Sequence, residues 1–103
     1  MKIAVLGMGA VGRGLLRMID EKDLGITVTG IADSKSALID NSGISAGELI
    51  AAKNERGYCG DKTISAMEVV TRADYDALVE VTPTNAMTGE PALTFIRAAL
   101  SRG

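Results

Sequence analysis

The chain has 103 residues, 47% of them apolar, which suits one small domain with a buried core. A net charge of −2 argues against a general nucleic-acid binder, because neutralising phosphates needs a basic surface. No histidine is present, which removes the usual triads, the usual zinc sites and the commonest general base.

The core has to be aliphatic, since the chain holds one Phe, two Tyr and no Trp. Its first element is a buried strand over Lys2 to Leu6, short, apolar and stopped by Gly7. Continuous apolar runs of this kind belong to parallel strands covered on both faces. The run continues as Gly7-Met8-Gly9-Ala10-Val11-Gly12, the spacing G-x-G-x-x-G, and then turns amphipathic. Strand, glycine turn and helix together are the context that gives this motif meaning. Gly7 permits the tight turn, Gly9 lets the backbone approach a pyrophosphate, and Gly12 lets the helix lie against the strand. The N–H groups at the helix start, with the positive end of its dipole, then face the phosphates. The competing reading is a glycine-rich turn that binds nothing.

The helix is expected over Ala10 to about Glu21, with Val11, Leu15, Met18 and Ile19 as its inward stripe. Gly14 inside it implies close packing against the sheet or a ligand, and Gly25 ends the unit as a turn residue. Ile26 to Ala32 reads as a second strand, with Ile26, Val28, Gly30 and Ala32 on one face and Thr27, Thr29 and Ile31 on the other. A strand-helix-strand of this length implies a parallel crossover.

Asp33 follows the second strand, 21 residues after Gly12. A spacing of roughly 20 residues is expected for the acid that accepts hydrogen bonds from the adenosine ribose. The plain alternative is a strand-ending turn aspartate. Asp33 favours NAD by repelling a 2′-phosphate, whereas the adjacent Ser34 and Lys35 are suited to receive that phosphate. The residues leave NAD against NADP open.

Ala37 to Gly43 reads as loop or short extended structure, with Asp40-Asn41-Ser42-Gly43 a turn signal. Ser45 caps a helix over Ala46 to about Glu55, and Ser65 caps another over Ala66 to about Thr71, with Glu48 and Glu68 completing the capping boxes. Between them Arg56 to Asp61 is loop. The single cysteine, Cys59, lies in that loop; it excludes an intrachain disulfide and fits a reducing compartment. With no histidine to activate it, it reads as an ordinary loop residue. The charges of this middle region, Lys53 and Lys62 among them, read as a solvated face.

Ala77 to Thr82 is a third apolar strand, ending in Pro83-Thr84-Asn85. Ligands of open parallel sheets sit beyond the carboxyl ends of strands. Thr82, Pro83 and Thr84 are placed there, suited to the nicotinamide end of a dinucleotide or to a plain capping loop. Pro91 opens a final helix over Ala92 to about Leu100. The expected fold is therefore α/β and Rossmann-like, a parallel sheet of three strands with helices on both faces. Neither a leader pattern nor a run of about 18 apolar residues is seen, which gives the expectation of a cytosolic protein off the membrane.

Taken together these segments resemble the N-terminal domain of homoserine dehydrogenase, particularly archaeal and some bacterial forms. The carrying pieces are Gly7 to Leu16, Ile31-Ala32-Asp33-Ser34-Lys35, Val79-Glu80-Val81-Thr82-Pro83-Thr84-Asn85, Thr88-Gly89-Glu90-Pro91-Ala92-Leu93 and Ile96 to Leu100. The glycine turn is shared by many dehydrogenases; the Glu-Val-Thr-Pro-Thr and Thr-Gly-Glu-Pro segments are far more specific.

The resemblance implies interconversion of homoserine and aspartate 4-semialdehyde with NAD or NADP, on the route to threonine, isoleucine and methionine. It implies pyrophosphate contacts from Gly9, Ala10, Val11 and Gly12, ribose contacts from Asp33 or its neighbours, and nicotinamide contacts from Thr82 to Thr84. The family continues beyond the position of Gly103 into a further strand and a substrate and dimerisation domain. No catalytic residue is therefore carried over, homoserine is expected to bind only with that domain, and residues 1–103 are expected to self-associate or to be of low stability. The alternatives are a non-catalytic dinucleotide-sensing module and the cofactor domain of a related enzyme such as aspartate dehydrogenase.

Overall fold

The computed structural model describes residues 1–22, 25–81 and residue 98. The elements run β1 (Lys2–Leu6), α1 (Ala10–Glu21), β2 (Thr27–Ala32), β3 (Ala37–Ile44), α2 (Ala46–Arg56), α3 (Ala66–Arg72) and β4 (Ala77–Glu80). The sheet order is β3-β2-β1-β4, with β1 parallel to both β2 and β4. β1 is the central strand because every side chain from Ile3 to Leu6 is apolar and can be buried on either face. Ile3 and Val5 enter one core, with Leu16 of α1 and Leu49 of α2. Ala4 and Leu6 enter the other, with Val69 and Val70 of α3. Helices thus cover both faces, as expected.

The three expected strands are parallel, and a fourth is added to them. β3 joins the sheet antiparallel to β2, in the stretch read as loop or short extended structure. The turn signal there is genuine but local: Asp40 accepts hydrogen bonds from the N–H and hydroxyl of Ser42 at 3.0 and 2.6 Å, and Gly43 has φ +117. Between Ile39, opposite Gly30, and Ile44, opposite Val28, the turn is absorbed as an irregularity in an edge strand.

The face assignment of the second strand is also corrected. Ile3 pairs with Val28, but Ala4 pairs with Gly30, so Thr29 is an extra residue in a bulge. Val28 and Ile31 consequently share one core, three residues apart, while Ala32 enters the other. Thr29 is fully buried, and its hydroxyl lies 2.8 Å from the Asp74 carbonyl and 3.3 Å from that of Ile3. On the α3 side, a Cβ on Gly30 would stand 2.7 Å from Val69, so the absence of a side chain sets how closely α3 lies on the sheet.

The inward stripe of α1 is shifted from the expected one. Val11 and Met18 are 70% and 49% exposed, while Leu16 is fully buried and Leu15 and Ile19 pack beside it. The reason is Gly12: where it meets the strand exit it fixes the helix rotation, and Leu15, Leu16 and Ile19 follow at i+3, i+4 and i+7. Gly14, expected at a close approach, has no described residue outside its own helix turn within 4 Å of where its Cβ would be.

The serine half of each expected capping box forms: Ser45 and Ser65 accept from the Glu48 and Glu68 N–H groups at 3.3 and 3.2 Å. Gly57 closes α2 in the left-handed conformation. Of the expected final helix only Ala98 is described, packed against the second core. Among the described residues no helix is long and apolar enough to cross a membrane.

Candidate functional site

Three parallel strands deliver their carboxyl ends to one edge of the sheet. Gly7 donates its N–H to the Ala32 carbonyl at 2.7 Å, and Val81 donates to that of Leu6 at 2.8 Å. The glycine turn after β1 therefore stands between the ends of β2 and β4. The connection from β1 runs through α1 to β2 on one side, whereas the chain reaches β4 on the other side of β1 through α2 and α3, which makes this edge the switch point at which open α/β sheets bind ligands.

The turn has the geometry a phosphate site needs. Gly7 has φ +106, which L side chains rarely adopt, and it turns the chain sharply out of β1. A Cβ on Gly12 would collide with the Gly7 carbonyl, so the helix start lies directly on the turn. Gly9 is the N-cap, with no side-chain cap, and the first turn of α1 holds no acid. The amides of Ala10, Val11 and Gly12 are thus left uncapped by any side chain. A Cβ on Gly9 would meet no atom of the described residues within 4 Å, so none of them fills the space over the turn. Arg13, one turn along, places Nε 3.3 Å from the Met8 carbonyl and reaches Asn54 of α2 at 3.3 Å.

Asp33 is placed beside this turn, as expected, but its carboxylate points inward. One oxygen, Oδ1, accepts from the N–H of Lys35 at 2.8 Å and from the N–H and hydroxyl of Ser36 at 2.7 and 3.1 Å. Oδ2 accepts from the N–H of Cys59 at 2.7 Å and from Lys53 Nζ at 3.2 Å. The side chain is only 1% exposed. Burial raises its pKa, but the donors from Lys35, Cys59, Ser36 and Lys53 outweigh this and bring it to about 2. Ser36 Oγ in turn accepts from the N–H groups of Cys59 and Gly60 at 3.1 and 2.9 Å. One buried node therefore ties the turn after β2, α2 and the loop after α2 together.

Lys53 is placed otherwise than the sequence suggests, whereas Cys59 is the non-nucleophile expected. Lys53 belongs to no solvated face: its side chain is 14% exposed and ion-paired with Asp33. Twenty residues of sequence separate the two partners, and no local pattern marks the pairing. Cys59 is a buried structural residue, and burial pushes its thiol up to about 11, far from a nucleophile.

Ser34 and Lys35 lie exposed at the tip of the turn. Thr82, Pro83 and Thr84, expected at the nicotinamide end, lie outside the described residues. Among the described residues no cluster of His, Cys, Asp and Glu suits a metal ion.

A glycine turn at the switch point, an uncapped helix start and a strand-end acid define a dinucleotide-binding unit of the dehydrogenase class. The family model described as Glutamate/Leucine/Phenylalanine/Valine dehydrogenase matches residues 1–100, and the chain belongs to that family. It is 34% identical over 108 residues to the homoserine dehydrogenase of Methanocaldococcus jannaschii, covering 93% of this chain and 32% of that protein. It is 32% identical to the NAD(+)-dependent homoserine dehydrogenase of Pseudomonas canavaninivorans, covering 99% of this chain and 33% of that one. The crystal structure of homoserine dehydrogenase from Thermoplasma acidophilum superposes with a TM-score of 0.87 at 28% identity, covering all of this chain and 33% of the other. The chain thus spans about a third of the length of these relatives.

Proposed function

We propose that this chain is the cofactor-binding domain of a homoserine dehydrogenase and binds NAD or NADP at the carboxyl edge of its sheet. The observation that carries the proposal is the glycine turn: an uncapped helix start whose Gly9 has no described residue over it. In this reading Gly7 turns the chain and the amides of Gly9, Ala10, Val11 and Gly12 hold the pyrophosphate. Asp33, Ser34 and Lys35 form the adenosine-ribose side, and Thr82, Pro83 and Thr84 the nicotinamide side. A dinucleotide held there would supply the redox chemistry: its oxidised form would take a hydride from homoserine, which becomes aspartate 4-semialdehyde as its hydroxyl proton is released, and its reduced form would return the hydride. No residue of this chain is assigned to homoserine or to the proton transfer. The substrate follows from two relatives that share the homoserine dehydrogenase name; the family description, which names other amino acids, supports the dehydrogenase class.

A chimera tests the reading. This chain replaces the matched third of the Thermoplasma acidophilum enzyme, and homoserine-dependent reduction of NAD and of NADP is assayed. Turnover with at least one cofactor is expected. A folded chimera that binds neither cofactor contradicts the proposal.

A further inference from the structure

We propose that Arg13 is a positioning residue which, braced by Asn54, fixes the direction in which the Gly9 N–H is offered to the diphosphate of the cofactor. This rests on the dinucleotide reading above. The peptide between Met8 and Gly9 has little local restraint. Its orientation is set by ψ of Met8 and φ of Gly9, and glycine adopts positive φ about as readily as negative. The φ of −75 at Gly9 is therefore not imposed by the residue itself. Carbonyl and N–H point in opposite directions across a planar trans peptide. Half a turn of this plane would exchange them, and a phosphate would meet a carbonyl oxygen in place of a donor.

Arg13 supplies the restraint. Its Nε donates to the Met8 carbonyl at 3.3 Å, and its backbone N–H donates to the Gly9 carbonyl at 2.9 Å. Both carbonyls thus face Arg13, and the Gly9 N–H faces away from it. The Met8 side chain is buried in the first core, which anchors its Cα but leaves the following peptide plane unset. The guanidinium is held in its turn, because Nη1 donates to Asn54 Oδ1 at 3.3 Å on the last turn of α2. A planar guanidinium spans two acceptors in a fixed geometry, which a point-like ammonium does not. Asn54 is a firm brace because α2 is fixed at both ends. At its start a Cβ on Gly47 would stand 3.0 Å from an Asp20 carboxylate oxygen, so α2 lies hard against α1. Near its end Lys53 is paired with Asp33 at 3.2 Å.

The test compares the isotope-labelled parent chain with Arg13→Met, Asn54→Ala and the double variant, first without cofactor and then titrated with NADH and with NADPH. Arg13→Met is expected to lower the affinity for both cofactors about tenfold, the scale of one hydrogen bond to a charged group. The loss is equal for the two because both carry the diphosphate. Asn54→Ala, which leaves the Arg13 charge in place, is expected to lower both about threefold. The double variant is expected to bind no more weakly than Arg13→Met, because the two residues act through one contact. Without cofactor, relaxation dispersion at the Gly9 amide is expected to be flat in the parent and to show exchange in Arg13→Met. A merely structural role would lower the melting temperature and leave that amide unchanged. Parental affinity in Arg13→Met overturns the inference. So does parental affinity in Asn54→Ala, an exposed position that keeps the test decisive if Arg13→Met does not fold. Weaker binding with a flat Gly9 profile overturns it as well, being the mark of an arginine that touches the phosphate itself. In these three cases the parent still binds and the dinucleotide reading stands. A parent that binds neither cofactor overturns that reading and this inference with it.

Discussion

Asp33 sits where a dinucleotide-binding fold ordinarily presents a ribose acceptor, yet its carboxylate is turned into the protein. Both the functional and the plain reading of its sequence position predict an acid at this place. Only the structure shows its five donors, because Lys53 and Cys59 come from 20 and 26 residues away. The node has a measurable consequence for stability. Its folded pKa, about 2, lies below the ordinary 3.8. Its contribution is therefore complete above the unfolded pKa and lost as pH falls from about 4 towards 2, a change of about 2 kcal/mol. Urea unfolding across that range checks this: Asp33→Asn should flatten the acid-side loss. The same variant should cost about 3 kcal/mol at neutral pH, because its amide N–H₂ would face the Lys53 ammonium or the Cys59 N–H. A variant whose stability falls with acid as steeply as the parent would contradict the assignment.

At the scale of elements, the glycine turn and α1 separate three roles that the sequence presents as one motif. Gly12 is constrained by packing, Gly9 by space kept open, and Gly14 by neither. Three substitutions resolve them. Gly12→Ala should destabilise by about 2 kcal/mol or more, since its Cβ meets backbone that cannot move aside cheaply. Gly9→Ala should fold normally, its φ of −75 being ordinary, and should lose cofactor affinity. Gly14→Ala should stabilise by about 1 kcal/mol, as expected in an open helix interior, with binding unchanged. Thermal melts and NADH titrations of the three variants check the set; equal binding losses at Gly9 and Gly14 would contradict it.

The same scale shows what was legible in sequence. Strand and helix starts were, because capping boxes and glycine stops are local chemistry: Ser45, Ser65 and Gly7 act within a few residues. The bulge at Thr29 was not, because a one-residue slip depends on the partner strand. Nor was β3, whose polar Asp40, Asn41 and Ser42 suit an exposed edge and match a turn signal equally well. The rotation of α1 was hidden for a related reason. Apolar spacing alone allows Val11 and Met18 to face inward, and only the contact of Gly12 with the Gly7 carbonyl turns them out.

For the whole molecule, the arrangement of β2, β1 and β4 brings the glycine turn, the Asp33 turn and Val81 to one edge, although they are far apart in the chain. Periodicity and spacing anticipated that convergence, since parallel strands must end on the same side. They did not anticipate the buried node that ties Asp33 to Lys53 and Cys59 beneath that edge. The most direct measurement is amide-shift mapping of the isotope-labelled chain titrated with NADH and NADPH. The account predicts shifts concentrated at residues 7–14 and 33–36, with α3 unaffected. Shifts confined to other surfaces, or no shift with either cofactor, would contradict a dinucleotide site at the β1 turn.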